Sequence, residues 1–219
     1  MSLRLNQLAP NFVAISTEGE INFYEWIEKS WVILFSHPKD FTPVCTTELG
    51  ILSQMQDQFL KKNCKIIGLS VDSVDKHKKW IPDIEDISKT KLNYPLIGDE
   101  DLKISKLYNM LPHAEEGDSD NRTAVDNLTV RSVFIIGPDK RIKMILTYPM
   151  STGRNFNEIL RVLESCQLTQ IHKVATPANW KKGDDVIIVP ALDNDRAKEI
   201  FPNGWKTVKE YLRKVADPS

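Results

Sequence analysis

The sequence has few cysteines, and none of them forms a Cys-x-x-Cys pair. There are three among 219 residues, namely Cys45, Cys64 and Cys166. An odd and widely spaced set argues against a disulfide framework and fits reduced thiols in a reducing compartment. A reductase of the thioredoxin type is also disfavoured, because that chemistry requires two neighbouring cysteines.

Long hydrophobic runs and an excess of one charge are missing as well. The longest apolar runs, residues 31–35 and 186–192, fall well short of the roughly 20 residues that span a bilayer. Residues 1–10 contain no continuous apolar stretch of the kind found in a secretory signal. Lys and Arg total 29 against 30 Asp and Glu, which gives a net charge of -1. We therefore expect a cytoplasmic protein with no nucleic acid and no membrane as a partner.

What is present is an alternation of strand-like and helix-like segments. Short apolar runs predict buried strands, and apolar residues at spacings of three and four predict helices. The expected strands are residues 31–35, 65–71, 95–97, 131–136 and 141–148, and the expected helices are residues 44–62, 74–87 with an interruption at Pro82, 101–108 and 155–166. The polar residues 113–127 are expected to form an exposed loop. The pattern predicts an α/β fold in which helices flank a mixed central sheet.

The chain changes character after about residue 170. Prolines become frequent there (Pro177, Pro190, Pro202 and Pro218), and only short elements are expected. We predict two domains, a main domain of residues 1–168 and a small C-terminal module of residues 169–219. The apolar residues of the module are too few for a core of its own, so we expect it to pack on a second copy of the chain.

Cys45 is the residue whose surroundings point to chemistry. It follows a buried strand and stands in the first turn of a predicted helix, with Pro43 and Thr42 just before it. Pro43 suits the start of a helix, and Thr42 suits the N-cap or a hydroxyl contact with the sulfur. The unpaired N–H groups and positive dipole of a helix N-terminus favour a thiolate.

Ionisation of the thiol explains only a small part of an enzymatic rate. An ordinary thiol is a few per cent thiolate at neutral pH, so complete ionisation gains roughly 30-fold at most. Enzymes usually accelerate reactions by about 10⁶-fold or more. The remainder requires groups that orient the substrate and stabilise the leaving oxygen. Thr42 and an arginine are the natural candidates, and Arg131 is conspicuous because it leads an apolar strand.

The segment around Cys45 resembles the peroxiredoxin active-site motif. The motif positions are Pro38-x-x-x-Thr42-x-x-Cys45, and the wider string SHPKDFTPVCTTE (residues 36–48) resembles the one-cysteine, peroxiredoxin-6-like subfamily. Further similar segments are residues 8–12 (LAPNF), 69–72 (LSVD), 131–134 (RSVF), 152–156 (TGRNF) and 174–177 (VATP) with Trp180. The resemblance therefore covers nearly the whole chain. It implies a thioredoxin-like fold with a C-terminal peroxiredoxin domain.

The resemblance also implies roles for single residues. Cys45 would be the peroxidatic cysteine, which hydrogen peroxide or an organic hydroperoxide oxidises to sulfenic acid. Thr42 would bind peroxide and thiolate, Arg131 would supply a fixed cation, and Pro38 would shield the pocket from water. His37 would line the pocket, and Glu48 would orient an arginine. Arg154 would contact these pocket residues rather than the peroxide itself. No cofactor and no metal are implied, and the assembly expected is a homodimer.

The cysteine that resolves the sulfenate in two-cysteine relatives has no counterpart here. The matching segment, residues 174–180, has Thr176 at about that place. An external thiol, glutathione or a thioredoxin-type protein, would then be the reductant. Cys64 lies in an apolar strand and Cys166 near a helix end, so both are interpreted as structural.

The same residues allow other interpretations. His37 could ligate a metal, but no second ligand stands at metal spacing from it, and His77, His113 and His172 are expected to be isolated and solvated. Some peroxiredoxin-6-like proteins are credited with phospholipase A2 activity. Here the segment around Ser30 lacks its glycines and Tyr24 stands at the histidine position, so only Asp139 matches. A peroxide sensor that passes oxidation to a protein partner remains an alternative to an antioxidant enzyme of redox homeostasis.

Overall fold

A computed structural model describes residues 3–113 and 128–219. The polar loop predicted for residues 113–127 lies, apart from His113, outside the described residues. The chain divides into two compact units, one that ends at Phe156 and one formed by Asn157–Ser219. The predicted domains, residues 1–168 and 169–219, stay a prediction.

The first unit is built on a sheet of seven strands. The strands are β1 (Val13–Ser16), β2 (Gly19–Asn22), β3 (Trp31–Ser36), β4 (Cys64–Ser70), β5 (Leu96–Gly98), β6 (Arg131–Ile136) and β7 (Ile142–Tyr148). They lie in the order β2-β1-β5-β4-β3-β6-β7. β3, β4 and β5 run parallel, and the remaining neighbours pair antiparallel, including β3 with β6. The fold is therefore a mixed α/β sheet of the thioredoxin-like kind, as the sequence predicted.

Helices cover the sheet because its central strands are apolar on both faces. The helices are α1 (Phe23–Ile27), α2 (Pro43–Leu60), α3 (Val74–Ser88) and α4 (Lys103–Leu107). Val32 and Leu34 of β3 belong to a buried cluster that includes Phe23 of α1 and Ile104 of α4. The alternate residue Ile33 is equally buried on the opposite face. There α2 packs against α3 and β4.

The predicted elements of this unit are found within a few residues of their expected ends. β6 has the predicted bounds, and α2 begins one residue earlier and ends two residues earlier than predicted. α3 is continuous through Pro82, contrary to the expected interruption. An interior proline costs about 3 kcal/mol, and burial of Trp80 and Ile84 on the same helix offsets that cost.

The C-terminal unit has its own buried cluster, which corrects the expectation that it lacks a core. α5 (Phe156–Ile171) precedes a sheet of four short strands in the order β10-β11-β9-β8. Its remaining elements are β8 (Val174–Ala175), β9 (Val186–Ile188), α6 (Asn194–Ile200), β10 (Lys206–Lys209) and β11 (Leu212–Val215). Trp180, Val186 and Phe201 lead the cluster. Leu168 of α5 also belongs to this cluster. It lies just before residue 169, so the expectation based on the apolar residues of the module alone did not include it. Among the described residues, no helix is long and apolar enough to cross a membrane.

Candidate active site

Cys45 stands at the third position of α2 and is fully buried. Pro43 begins the helix, and Thr42 is its N-cap residue in an extended conformation. The amides of the first helical turn have no intrahelical acceptor, so they place partial positive charge around the start of α2. The preceding residue Phe41 has a positive φ of 55°. That conformation turns the chain sharply from the end of β3 into the helix.

Arg131 reaches Cys45 from the neighbouring strand. β6 pairs antiparallel with β3, so the start of β6 lies beside the end of β3 where the chain leaves for α2. Arg131 Nη1 lies 3.3 Å from Cys45 Sγ. Nε and Nη2 of the same guanidinium donate to the carbonyl of Met150, at 2.8 and 2.6 Å. The guanidinium is thus held on two sides while one nitrogen faces the sulfur.

Glu48 lies one helical turn after Cys45 and links two arginines. Its Oε2 accepts from Arg131 Nη1 at 2.6 Å and from Arg154 Nη2 at 2.7 Å. Its Oε1 accepts from Arg154 Nε at 2.9 Å and from the Arg154 backbone N–H at 2.8 Å. Burial alone would raise the pKa of Glu48, but the charge and hydrogen bonds of Arg154, together with the charge of Arg131, hold it below its ordinary value.

Arg154 is buried and is fastened to the sheet as well as to Glu48. Its Nη1 donates to the carbonyls of Ser36, at 2.8 Å, and Ser132, at 3.1 Å. Its guanidinium lies over the ring of Phe35, 5.0 Å from the centroid. Arg154 therefore ties the end of β3 and the start of β6 to the same carboxylate. It holds Glu48, and through Glu48 it holds Arg131.

The buried charges around Cys45 do not balance. Arg131, Arg154 and Glu48 are each at least 93 per cent buried and together carry one net positive charge. A net charge in such a place is costly unless something neutralises it. A thiolate on Cys45, in contact with Arg131, would bring the sum to zero. The arrangement can therefore stabilise an anion at the sulfur and a developing negative charge beside it.

Thr42 and Pro38 occupy the approach to α2. The Thr42 hydroxyl donates to the carbonyl of Lys39 at 2.8 Å and does not cap the helix with its side chain. Its lone pairs remain available to accept a hydrogen bond. Pro38 is buried. The structure thus gathers Cys45, Glu48, Arg131 and Arg154 in direct contact, with Thr42 in the turn that leads to the cysteine.

Comparison with known proteins identifies the family. The AhpC/TSA family matches residues 5–145, and the C-terminal domain of 1-Cys peroxiredoxin matches residues 165–206. A 1-Cys peroxiredoxin of Dictyostelium discoideum is 50% identical over 99% of this chain and 86% of its own. This chain belongs to the peroxiredoxins, in the one-cysteine branch. Proteins of this family are peroxidases, so the enzyme class expected from the sequence is confirmed.

Solved structures of the family agree with the fold. A cysteine-to-serine mutant of peroxiredoxin 6 from Arenicola marina matches with a TM-score of 0.89 and 44% identity, over all of both chains. A yeast mitochondrial 1-Cys peroxiredoxin, solved to explain thiol resolution through glutathione/thioredoxin systems, matches with a TM-score of 0.86 and 45% identity. That match covers 98% of this chain and 99% of the other.

His37 of this peroxiredoxin lies in a buried group that the sequence did not predict. Its Nε2 is 2.8 Å from Asp40 Oδ1, and Asp40 Oδ2 is 2.6 Å from His77 Nδ1. All three side chains are fully buried. The expectation that His77 is solvated was wrong. Its spacing of three residues from Trp80, on the buried face of α3, was the signal for burial.

The pKa values of His37 and Asp40 are lowered for different reasons. Burial is the main reason that the pKa of His37 lies below its ordinary value. Burial would raise the pKa of Asp40, but hydrogen bonds from His37 and His77 lower it to about 2. Two imidazoles and a carboxylate are possible metal ligands, and their ligand atoms lie within 4.8 Å of one another. The expectation that His37 has no candidate co-ligands was therefore wrong. The contacts between them, however, already have hydrogen-bond lengths.

The other cysteines, both within the described residues, form no disulfide with Cys45. Cys64 is buried in β4, and burial raises the pKa of its thiol. Cys166 is half-buried in α5. Thr176, at the expected place of a resolving cysteine, shares a hydrogen bond of 2.7 Å with Ser165. Within the C-terminal unit this hydroxyl therefore has a structural contact.

The residues compared with a lipase site have other partners. The Ser30 hydroxyl donates to Asn63 Oδ1 at 3.1 Å, and Ser30 is buried. Tyr24 donates its hydroxyl to the carbonyl of Ala9 at 2.5 Å. Asp139 is paired with Lys143 at 2.5 Å. These contacts agree with the poor match to a lipase site in the sequence, and the absence of phospholipase activity stays a prediction.

Proposed function

We propose that this peroxiredoxin reduces hydrogen peroxide and organic hydroperoxides at Cys45 and that an external thiol restores the cysteine. The contact between Arg131 Nη1 and Cys45 Sγ, at 3.3 Å, is the observation that supports the proposal most directly. It places a fixed cation at a sulfur in the first turn of a helix, within a cluster of net positive charge.

The first half of the cycle is a displacement on oxygen. The Cys45 thiolate attacks the terminal oxygen of the hydroperoxide, an S–O bond forms, and the O–O bond breaks. The leaving oxygen takes up a proton and departs as water or an alcohol, while Cys45 becomes sulfenic acid. Negative charge moves from the sulfur to the leaving oxygen during this step. Arg131 can stabilise both, because it touches the sulfur and is held rigidly by Glu48 and Met150.

Thr42 and Pro38 are proposed to shape the peroxide site. The Thr42 hydroxyl donates a hydrogen bond to Lys39 O, so its lone pairs can accept a hydrogen bond from the O–H of an incoming peroxide. Buried Pro38 offers no backbone N–H and would keep water from competing there. Such fixed contacts supply the orientation that ionisation of the thiol cannot.

The second half of the cycle consumes two molecules of thiol. A first thiol displaces hydroxide from the sulfenic acid, which yields water and a mixed disulfide with Cys45. A second thiol attacks the mixed disulfide, releases the Cys45 thiol and leaves as the disulfide of the reductant. The sequence offers Thr176 rather than cysteine at the resolving position. The similar yeast protein is described as being resolved through glutathione/thioredoxin systems, and we propose the same class of reductant here.

Stopped-flow kinetics test this function. Reduced protein is mixed with hydrogen peroxide and, separately, with an organic hydroperoxide, and the sulfur of Cys45 is examined by mass spectrometry. We expect second-order rates orders of magnitude above that of glutathione and an added oxygen atom on Cys45. A rate no faster than that of an ordinary thiol would refute the proposal. A stable mixed disulfide with one protein, in the absence of turnover with small thiols, would favour a sensor instead.

We also propose that the enzyme is a cytoplasmic homodimer. In the C-terminal unit, Ile171 and Tyr211 are each about three quarters exposed although they are large and apolar. Coverage by a second copy would remove that surface from water. Sedimentation at micromolar concentration should give twice the mass of one chain, and a monomeric mass would contradict the proposal. Cell fractionation followed by immunoblotting tests whether the protein is in the cytoplasmic fraction.

A further inference from the structure

His77 makes two hydrogen bonds, both to acceptors. Its Nδ1 lies 2.6 Å from Asp40 Oδ2, and its Nε2 lies 3.0 Å from the carbonyl oxygen of Ile97. A carbonyl oxygen cannot donate, so Nε2 must carry a proton. If Asp40 is ionised, Nδ1 must carry one too. His77 is then an imidazolium buried with its counter-ion, an arrangement that costs far less than either charge alone.

His37 stands on the other oxygen of the same carboxylate. Its Nε2 lies 2.8 Å from Asp40 Oδ1, so Nε2 carries a proton and donates. Its Nδ1 is buried and has no hydrogen-bond partner among the described residues. A protonated Nδ1 in that place would be an orphaned donor on a second buried cation. The geometry therefore favours neutral His37, with Nδ1 as a lone pair.

Three charged groups act on His37, and they come from different elements. Asp40 follows β3, His77 belongs to α3, and Arg154 precedes α5. The carboxylate favours a protonated His37, whereas His77 and Arg154 disfavour it. The backbone N–H of Asp40 donates to Asp72 Oδ2 at 2.7 Å, and Asp72 is paired with Lys76. One carboxylate faces two imidazoles. When the extra proton on His77 neutralises this carboxylate, His37 can stay neutral.

We propose that His77 is a positioning residue of the peroxidase site, which acts through Asp40 to keep His37 neutral with the proton on Nε2. The ionised carboxylate on which this arrangement depends accepts from both imidazoles, at 2.8 and 2.6 Å. Arg154 donates to the carbonyl of Ser36, the residue before His37, and binds Glu48 beside Cys45. A neutral His37 thus leaves a buried lone pair on Nδ1, and the imidazole is close enough to Arg154 for the arginine's charge to act on it.

The proposed consequence for catalysis rests on the proposed function. A hydroperoxide has one O–H to donate, and the Glu48 oxygens are occupied by arginine donors. A lone pair on His37 can accept that O–H and fix the orientation of the peroxide. If His77 no longer neutralises Asp40, the carboxylate draws a proton onto His37, and Nδ1 changes from acceptor to donor.

Two amide substitutions at His77 distinguish its two hydrogen bonds, because each can keep one of them and loses the other. The side-chain nitrogen of asparagine overlays Nδ1 of histidine, so His77→Asn can keep a donor for Asp40. The side-chain nitrogen of glutamine overlays Nε2, so His77→Gln can keep the donor for Ile97 O and loses the one for Asp40. Both variants remove the imidazole and leave a comparable space, which makes each the control for the other. Thermal unfolding establishes that both are folded.

The first readout is the protonation state of the imidazoles by nitrogen-15 NMR of the full chain, which has four histidines. We expect wild-type His37 in the neutral Nε2–H form from pH 6 to 8 and His77 doubly protonated. In His77→Gln we expect His37 to take up a proton in that range, and in His77→Asn we expect less of this change. A doubly protonated His37 in the wild type, or identical behaviour of the two variants, would overturn the proposal.

The second readout is the pH profile of the reaction between Cys45 and hydrogen peroxide. In His77→Gln, loss of one hydrogen bond to the peroxide should slow the reaction at pH 6 by roughly tenfold relative to pH 8, beyond any change in the wild type. The same pH dependence in His77→Gln and in the wild type would refute the proposed role of His37 in orienting the peroxide.

Should both amide variants fail to fold, Asp40→Asn keeps the proposal testable. The side-chain amide introduced by this substitution can donate to His77 Nδ1 and accept from His37 Nε2, so His77 should change from doubly protonated to neutral. An unchanged His77 would refute the assignment. Slow oxidation of wild-type Cys45 would refute the proposed function alone, because the NMR readouts do not depend on peroxide.

Discussion

Glu48 Oε2 lies 2.6 Å from Arg131 Nη1 and 2.7 Å from Arg154 Nη2, so one carboxylate oxygen holds two buried guanidinium groups. Only Arg131 also touches Cys45. The position of the cation at the sulfur therefore depends on a carboxylate that does not itself contact the sulfur. Because Glu48 lies on α2 one turn after Cys45, the helix sets the distance between the cysteine and the group that anchors its cation.

Substitution of Glu48 by glutamine should cost both stability and rate. The change keeps the shape but leaves two buried arginines without their counter-ion, and removal of one partner from a buried pair costs about 3–5 kcal/mol. Urea unfolding measures that loss, and the rate of Cys45 oxidation should fall at the same time. A Glu158→Gln variant is the matched control, since its pair with Arg161 is partly exposed and should contribute at most about 1 kcal/mol. Equal losses in the two variants would contradict the prediction.

Replacement of Arg131 should mainly affect the chemical step. Loss of a preorganised donor at a site of developing charge typically slows a reaction by about 10²–10³-fold. We expect Arg131→Met to show such a loss in stopped-flow oxidation. Arg131→Lys should recover only part of it, because one ammonium cannot reach Met150 O, Glu48 and Cys45 in the same geometry. Full activity of the lysine variant would show that charge alone suffices.

Acid should unfold the protein partly through Asp40. The folded state lowers the pKa of Asp40 from 3.8 to about 2, so its stabilisation is complete above about pH 4 and is lost as the pH falls toward 2. Linkage converts that difference in pKa into about 2 kcal/mol. The lowered pKa of Glu48 acts in the same direction.

The lowered pKa of His37 adds a second loss of stability, which begins at a higher pH. It starts as the pH falls below about 6.5, because the unfolded chain then binds a proton that the folded chain does not. Urea midpoints between pH 7 and 3 measure the sum. The Asp40→Asn variant lacks the contribution of that carboxylate, so its stability should fall less steeply below pH 4. Parallel curves for the two proteins would count against this account.

Cys64 and Cys166 should be dispensable for turnover. The raised pKa of Cys64 and its burial in β4 make it unreactive, and no resolving role is proposed for Cys166. A Cys64→Ser, Cys166→Ser double variant should keep multi-turnover activity with an external thiol, as measured by peroxide consumption. Loss of turnover in a folded double variant would show that an internal disulfide takes part.

Scarcity of reductant should lead to over-oxidation of Cys45. With no partner cysteine to trap the sulfenic acid, excess peroxide can carry it on to sulfinic acid. Mass spectrometry of protein treated with peroxide alone should show two added oxygen atoms on Cys45, and prior addition of the thiol should prevent this. Persistence of the singly oxidised form under excess peroxide would contradict the expectation.

The sequence by itself determined the fold class and the approximate bounds of the central strands and helices, and it predicted Cys45 as the reactive residue. The apolar run of β3, the helical spacing after Pro43 and the setting of Cys45 are local patterns, so they can be read from neighbouring residues. The role expected for Arg131 came from the family resemblance, and its place at the start of an apolar strand indicated only that its charge needs a partner.

The tertiary structure alone decided which distant residues meet. Glu48, Arg131 and Arg154 are up to 106 positions apart, and sheet pairing of β3 with β6 brings them together. His77 is 37 positions from Asp40 and was expected to be solvated, yet α3 buries it against the carboxylate. Periodicity can show that a helix face is buried, but it cannot show what that face meets. The contacts on which the proposed roles of His37 and His77 rest exist only in the folded chain.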